Sequence, residues 1–128
     1  MIDDATKKRL ARHWEEGWNA CDLDIIMEPY AKDVLFTSPG VARVTGDPTK
    51  TTIQGYDALR AYIAESLEKV TGISYTLDET FVGTDAVVLL YTVYGPEGRR
   101  GTGADSMRVD ADNNIIEWRC HYPDSLKL

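Results

Sequence analysis

The sequence predicts a single α+β domain with a mainly antiparallel sheet. Helical and strand patterns form separate blocks, in which two helices, a strand and a third helix precede a run of four long strands. Short turns join the first three of those strands, which is typical of antiparallel hairpins. The chain has 128 residues, of which 43% are hydrophobic. That size suits one domain with a substantial core, spanning residues 1–128.

The first half of the chain carries three helical patterns, in which apolar residues recur at spacings of three or four. Asp22 is placed to cap the second helix, and Gly72 is placed to end the third. The predicted elements are, in order, a helix over Asp4–Ala20, a short helix after Asp22, a strand over Val34–Ser38 and a helix over Gly55–Val70.

The stretch Val41–Gln54 has no regular pattern, and we predict a long loop or a weak hairpin there. A lid over a binding site is one interpretation, because long loops in compact domains are often functional. The other interpretation is a surface loop without a function, because loops tolerate insertions.

The second half is predicted to form a four-stranded meander. Its second strand is apolar on both faces. A strand in a sheet with one solvent-exposed face should instead alternate between apolar and polar residues. We therefore expect a homodimer that covers the outer sheet face formed by Val87, Leu89, Tyr91 and Val93. The four predicted strands are Ile73–Val82, Ala86–Tyr94, Arg99–Val109 and Ile115–Tyr122.

Hairpin arithmetic sets Asp105 opposite Val88 on one neighbouring strand and opposite Cys120 on the other. His121 then points to the outer face, and we expect both it and His13 to be surface or interface residues. The concave face predicted from this register consists of Val88, Leu90, Asp105, Met107, Ile116, Trp118, Cys120 and Tyr122.

Asp105 is the first functional candidate. Side chains alternate along a strand, so its carboxyl group shares a face with Met107 and Val109. A carboxyl group among apolar neighbours is costly to ionise. We expect a raised pKa and a hydrogen bond to an oxygen of a bound ligand. The alternative is a strand-edge aspartate that reaches water or a backbone amide.

Charge and cysteine content exclude several function classes. Lys+Arg 14 against Asp+Glu 21 gives a net charge of −7, so neither nucleic acid nor an anionic membrane is an expected partner. The N-terminus lacks a secretory pattern, which predicts a cytoplasmic protein with free thiols at Cys21 and Cys120. No metal-ligand spacing, nucleophile elbow or phosphate loop occurs, and we expect no cofactor.

Four stretches resemble the SnoaL-like, or nuclear transport factor 2-like, superfamily with the cystatin-like fold. They are Trp18–Asp24, Tyr30–Val34, Gly55–Arg60 and the terminal meander, and the likeness covers nearly the whole chain. The resemblance implies a conical α+β fold, in which a strongly curved sheet wraps around the helices and encloses a pocket.

A more distant likeness to ketosteroid isomerase implies roles for three positions. Asp105 looks like the protonated acid of that enzyme's oxyanion hole. Trp14 falls where that family has its tyrosine donor, and Ser38 falls where it has the proton-shuttling aspartate. A serine has no basicity near neutral pH, so the resemblance does not extend to ketosteroid isomerisation.

Three classes of function stay open. The missing base favours a protein that binds a small apolar molecule, with a carbonyl compound as one option. The alternatives are an isomerase, cyclase or lyase that uses Asp105 as acid or oxyanion stabiliser with help from Trp14, and a non-catalytic dimeric interaction module. The expected ligand-binding residues are Trp18, Ser38, Tyr62, Val88, Leu90, Met107, Trp118, Cys120 and Tyr122.

Overall fold

The computed structural model describes residues 1–123, so the last five residues of the predicted domain lie outside the described part. The described residues form the predicted α+β architecture. The helices are α1 Asp4–Arg12, α2 Leu23–Met27, α3 Gly40–Thr45 and α4 Tyr56–Lys69, and a π-helical segment covers His13–Trp18. The strands are β1 Tyr30–Thr37, β2 Thr52–Gln54, β3 Ser74–Val82, β4 Ala86–Gly95, β5 Gly98–Val109 and β6 Ile115–His121.

The six strands form one sheet in the order β2-β1-β6-β5-β4-β3. Only β1 and β6 run parallel, and every other neighbouring pair is antiparallel, which confirms a mainly antiparallel sheet. Leu10 of α1, Ile26 of α2 and Ile63 of α4 are fully buried in the same core as the inner sheet face. The helices therefore pack on one face of the sheet and leave the other face outside.

Two helix predictions are confirmed. Helix α4 lies within the predicted Gly55–Val70, and Asp22 caps α2 by accepting a hydrogen bond from the backbone N–H of Ile25 at 3.1 Å. The Asp22 carboxylate thus satisfies one of the amide groups that the first turn of a helix leaves unpaired.

The predicted first helix changes type halfway, because α1 continues as the π-helical segment. The wider turn of a π-helix brings the adjacent residues His13 and Trp14 both into the core. The prediction that His13 is a surface or interface residue is therefore wrong: it is 1% exposed and packed in the core, and its Nε2 lies 2.6 Å from the Tyr30 hydroxyl. Burial lowers the pKa of His13 to about 3, so the imidazole is neutral at pH 7.

The prediction of a loop or weak hairpin over Val41–Gln54 is also wrong in its main part. This stretch holds most of α3 and all of β2, which pairs antiparallel with β1. Val41 and Val44 are three residues apart and both buried, so a short helix has an apolar side to anchor it. Gly46, with φ at +75°, ends that helix in the left-handed conformation.

One extra residue changes the register between β4 and β5. The turn pairs Tyr94 with Arg99, but the next pair joins Val93 to Gly101, which leaves Arg100 as a β-bulge. Beyond the bulge, Asp105 lies opposite Leu89 instead of the predicted Val88. A shift of one residue exchanges the two faces of a strand.

The bulge therefore reverses the predicted faces of β4. The four side chains assigned to the outer, dimer-forming face are buried in the core, and that assignment is wrong. Val88 and Leu90, assigned to the concave wall, are half-buried on the outer face. The inward residues of β4 are Val87 at 1% exposure, Leu89 at 0%, Tyr91 at 1% and Val93 at 9%.

The β5–β6 register is largely as predicted. Asp105 pairs with Cys120 and Met107 pairs with Trp118. Near the turn the register shifts by one residue, and Ile115 is fully buried while the predicted inward residue, Ile116, is only half-buried.

The two cysteines are not joined, as predicted: Cys21 is exposed and Cys120 is buried. His121 is exposed on the outer face, also as predicted. No helix within residues 1–123 combines the length and the apolar character needed to cross a membrane.

Candidate functional site

A cavity of about 140 Å³ opens between the inner sheet face and the helices. The π-helical segment, α3, α4 and strands β1, β3, β4, β5 and β6 all contribute side chains to its wall. Most of these side chains are aromatic or aliphatic. The wall combines an apolar body with a few hydroxyl, thiol and guanidinium groups, which is typical of sites for small organic molecules.

Aromatic rings form the inner part of the wall. Trp14 stacks on Tyr91 with ring centroids 4.3 Å apart, and Trp18 stacks beside Trp14 at 5.8 Å. Phe36 lies against Trp118 at 4.4 Å. Rings held by rings on several sides have little freedom to collapse into the cavity.

Three buried side-chain nitrogens have no hydrogen-bond partner among the described residues: Nδ1 of His13 and the indole N–H groups of Trp14 and Trp18. Buried polar groups are nearly always paired in proteins, and both indole rings line the cavity, so a ligand oxygen or a water that reached either N–H would be stabilised there. The structure therefore keeps the predicted Trp14 donor free.

Asp105 is completely buried and accepts three hydrogen bonds. The Tyr91 hydroxyl donates to Oδ1 at 2.9 Å, and the Trp118 indole N–H donates to Oδ2 at 2.8 Å. The Cys120 thiol contacts Oδ2 at 3.6 Å. Tyr91, Trp118 and Cys120 line the cavity, but Asp105 does not. The carboxyl group thus lies behind the cavity wall and holds it, instead of facing the ligand as predicted.

Burial raises the pKa of Asp105 to about 7, against the opposing effect of its hydrogen-bond donors. The predicted raised pKa therefore agrees with the structure. When the group is protonated, the proton belongs on Oδ1, because the Trp118 N–H can only donate and needs Oδ2 as its acceptor. Oδ1 then donates to the Tyr91 oxygen, and the Tyr91 proton turns to another acceptor.

Gly103 makes this arrangement possible. It pairs with Tyr91 across the two strands, and the phenol ring lies over the glycine. A Cβ at position 103 would lie 2.5 Å from Cζ and 2.6 Å from the hydroxyl oxygen of Tyr91. Any side chain at this position would therefore push Tyr91 away from Asp105.

The cavity wall contains seven of the predicted site residues. Val88 and Leu90 miss it because the bulge turns them to the outer face, and Met107 misses it because it is fully buried within the core. Asp105 lies behind it. The seven that line the cavity are Trp14, Trp18, Ser38, Tyr62, Trp118, Cys120 and Tyr122.

Thirteen further residues of the wall were not predicted from the sequence, and five of them carry aromatic or charged side chains. Arg43 lay in the predicted loop, Tyr91 was assigned to the outer face, and Arg100 is the bulge residue itself. Phe36 and Tyr75 lie on predicted strands whose inward faces were not assigned. A glycine two residues before a buried aspartate is the one signal that could have indicated a large ring above the strand.

The tyrosines of the wall stay neutral. Burial raises the pKa of Tyr62 to about 12, although the nearby Arg43 charge acts in the opposite direction. Burial also raises the pKa of Tyr75, against the charge of Arg100. At pH 7 these phenols are hydrogen-bond donors. Within residues 1–123 no group of three His, Cys, Asp or Glu side chains could hold a metal ion.

Comparisons with known proteins agree with this architecture. The family model of the SnoaL-like domain matches residues 11–122. A SnoaL-like protein of unknown function from Burkholderia thailandensis superposes with a TM-score of 0.78 at 26% identity, covering 96% of this chain and 99% of the other. No curated protein matches the chain significantly by sequence.

Two further solved structures share the fold. TerC, co-crystallised with polyporic acid, superposes with a TM-score of 0.72 at 17% identity, covering 92% of this chain and 91% of the other. A candidate ketosteroid isomerase from Kribbella flavida superposes with a TM-score of 0.71 at 14% identity, covering 97% and 82%.

Gly103→Ala is expected to destabilise the protein by about 1–3 kcal/mol, because the new methyl group displaces the Tyr91 ring. Urea unfolding measures the change. Gly40→Ala is the matched control, because a Cβ there comes no closer than 3.4 Å to its neighbours. Equal stability of the two variants would contradict the role assigned to Gly103.

The raised pKa of Asp105 predicts a specific pH dependence of folding. The ordinary value is 3.8 and the folded value about 7, so the folded state binds this proton more tightly. The resulting stability is fully present below pH 4. It falls as pH rises through 7, by roughly 4 kcal/mol at 1.36 kcal/mol per pKa unit.

Asp105→Asn removes this dependence, since the amide can accept from Trp118 and donate to Tyr91 as the protonated acid does. Below pH 4 its stability should lie within about 1–2 kcal/mol of the wild type. Unfolding curves from pH 4 to 8 make the comparison, with exposed Asp33→Asn as control. Parallel profiles for wild type and Asp105→Asn would show that the carboxyl group titrates normally.

Proposed function

The chain belongs to the SnoaL-like domain family, and from that premise we propose that it binds a small apolar molecule in the aromatic cavity. The observation that carries this proposal is the cavity between stacked rings, two of which have indole N–H groups without partners. A closed core would fill such a space, because cavities cost stability. The hydrogen-bond donors favour a ligand with an oxygen, for which a carbonyl compound is one option.

The relatives support a ligand-binding role. TerC has been co-crystallised with polyporic acid, and its fold matches that of this chain. The fold alone hosts both enzymes and non-catalytic proteins, so the proposed function depends on the cavity residues of this chain.

The environment of Ser38 does not favour a ketosteroid isomerase. Its side chain is 4% exposed, and its Oγ accepts a hydrogen bond from the backbone N–H of Gly40 at 3.1 Å. A hydroxyl engaged in a local turn has neither the basicity nor the freedom to shuttle a proton.

An isomerase, cyclase or lyase is the second candidate, favoured by the hydrogen bond between Asp105 and Tyr91. A protonated Asp105 donates to the Tyr91 oxygen, which frees the Tyr91 proton for another acceptor. Tyr91 would thereby act as the general acid that faces the cavity, and Asp105 would supply the proton from behind. We further propose that the protein is cytoplasmic, because its two cysteines are free thiols, which are typical of a reducing compartment.

We also propose a homodimer through the outer sheet face, with a corrected set of residues. Val88 pairs with Phe81, so their side chains share that face, and Leu90 follows on the same side. Phe81 is 53% exposed, which leaves an apolar surface for a second copy to cover.

Leu67→Trp should block ligand binding, because residue 67 lines the cavity and the larger ring fills it. Small aromatic compounds should raise the melting temperature and quench the tryptophan fluorescence of the wild type, and lose at least about tenfold in affinity in this variant. Glu68→Trp is the matched control, since residue 68 is exposed and adds the same ring outside the cavity. Equal binding by both variants would contradict the cavity as the ligand site.

Tyr91→Phe distinguishes the enzyme from the binding protein. For a compound that binds, an enzyme should show product or deuterium uptake from D2O by mass spectrometry, and this variant should lose that turnover while retaining binding. Turnover that persists in Tyr91→Phe would exclude Tyr91 as the acid.

Val88→Lys should convert the dimer to a monomer, because a two-fold interface brings the two introduced charges together. Analytical ultracentrifugation at micromolar concentration measures the mass. The control is Lys32→Ala, an exposed change on β1. A wild-type monomer would overturn the proposed dimer.

A further inference from the structure

The charge around the cavity is opposite to that of the whole chain. The protein carries 21 carboxylate residues and a net charge of −7. Yet the cavity wall contains no Asp or Glu, and it contains Arg43 from α3 and Arg100 from β5. Within residues 1–123, neither arginine pairs with a carboxylate. Guanidinium groups without a carboxylate partner have the planar donor geometry that suits a planar anion.

The bulge positions Arg100. Bulges commonly redirect a side chain next to a functional site, and here the extra residue of β5 is the arginine that lines the cavity. Its guanidinium lies over Gly95, where a Cβ would collide with Nε and come within 3.0 Å of Cζ and Nη2. In this arrangement the guanidinium occupies the space that a side chain at position 95 would take.

Arg43 lies on α3, whose buried Val41 and Val44 anchor the helix to the core. Arg43 and Arg100 both line the cavity and are both exposed to solvent, so they mark its mouth. The charges of both arginines reach groups inside the cavity. Arg43 opposes the rise in the pKa of Tyr62, and Arg100 opposes the rise in the pKa of Tyr75. A negative group at the cavity mouth would interact with the same two charges.

From this geometry we propose that the natural ligand is an aromatic anion. Its ring system lies between the aromatic walls, and its carboxylate or other oxyanion lies at the mouth between Arg43 and Arg100. The proposal rests on the proposed binding function and adds the charge and the orientation of the ligand. The arginines select for the anion, and the rings select for its planar body.

The test compares 2-naphthoate with 2-naphthamide, which share a ring system and differ in charge at pH 7. Calorimetry and tryptophan fluorescence give both affinities for the wild type, Arg43→Gln and Arg100→Gln. Arg99→Gln is the matched control, because Arg99 is exposed, adjacent in sequence and absent from the cavity wall. Arg99 pairs with Tyr94, beyond the bulge.

We expect the wild type to bind the anion about fivefold more tightly than the amide, since exposed, screened ion pairs contribute up to about 1 kcal/mol. Each cavity variant should lose most of this preference and leave the affinity for naphthamide unchanged. Arg99→Gln should retain it. Raising the salt concentration should weaken binding of the anion only.

The other outcomes separate the two proposals. Equal binding of both compounds, or a preference for the anion that survives in Arg43→Gln and Arg100→Gln, would overturn the anion proposal while the binding function stands. No binding of either compound at millimolar concentration would overturn the aromatic cavity as a ligand site, and the anion proposal with it.

Discussion

The hydrogen bonds that converge on Asp105 fix three residues of the cavity wall at once. Tyr91, Trp118 and Cys120 come from two strands, and all three point donors at one carboxyl group without access to water. Removing the carboxyl group would leave those donors unpaired in the core, which costs more than the hydrogen bonds themselves contribute. The proposed ligand binding, and any proton transfer, would therefore depend on a residue that does not line the cavity.

The bulge at Arg100 links the packing of the sheet to the chemistry of the cavity. It turns Tyr91 inward, where the ring can cross Gly103 and reach Asp105. It also brings an arginine to the cavity mouth. The same extra residue thus builds the neutral inner part of the site and its positive rim, and a regular hairpin would lack both.

Much of the architecture could be predicted from the sequence, because helix α4 and the four long strands have strong local patterns. The buried carboxyl group at position 105 could be predicted as well, since strand alternation places it on the same face as Met107 and Val109. The bulge could not, because neither composition nor turn type indicates an inserted residue. Because of that single residue, Val88 and Leu90 were wrongly predicted to line the site, and Tyr91 was wrongly predicted to face outward. The burial of His13 was missed because periodicity at 3.6 residues does not anticipate a π-helical turn.

In this account, Asp105 supports the cavity wall from behind, and the ligand contacts only the residues that line the cavity. A crystal structure with 2-naphthoate bound tests it most directly. We predict density for the rings beside Trp14 and Trp118, with the carboxylate at the mouth and both Asp105 oxygens still held by Tyr91 and Trp118. A ligand oxygen bonded directly to Asp105, or a ligand outside the cavity, would contradict this account.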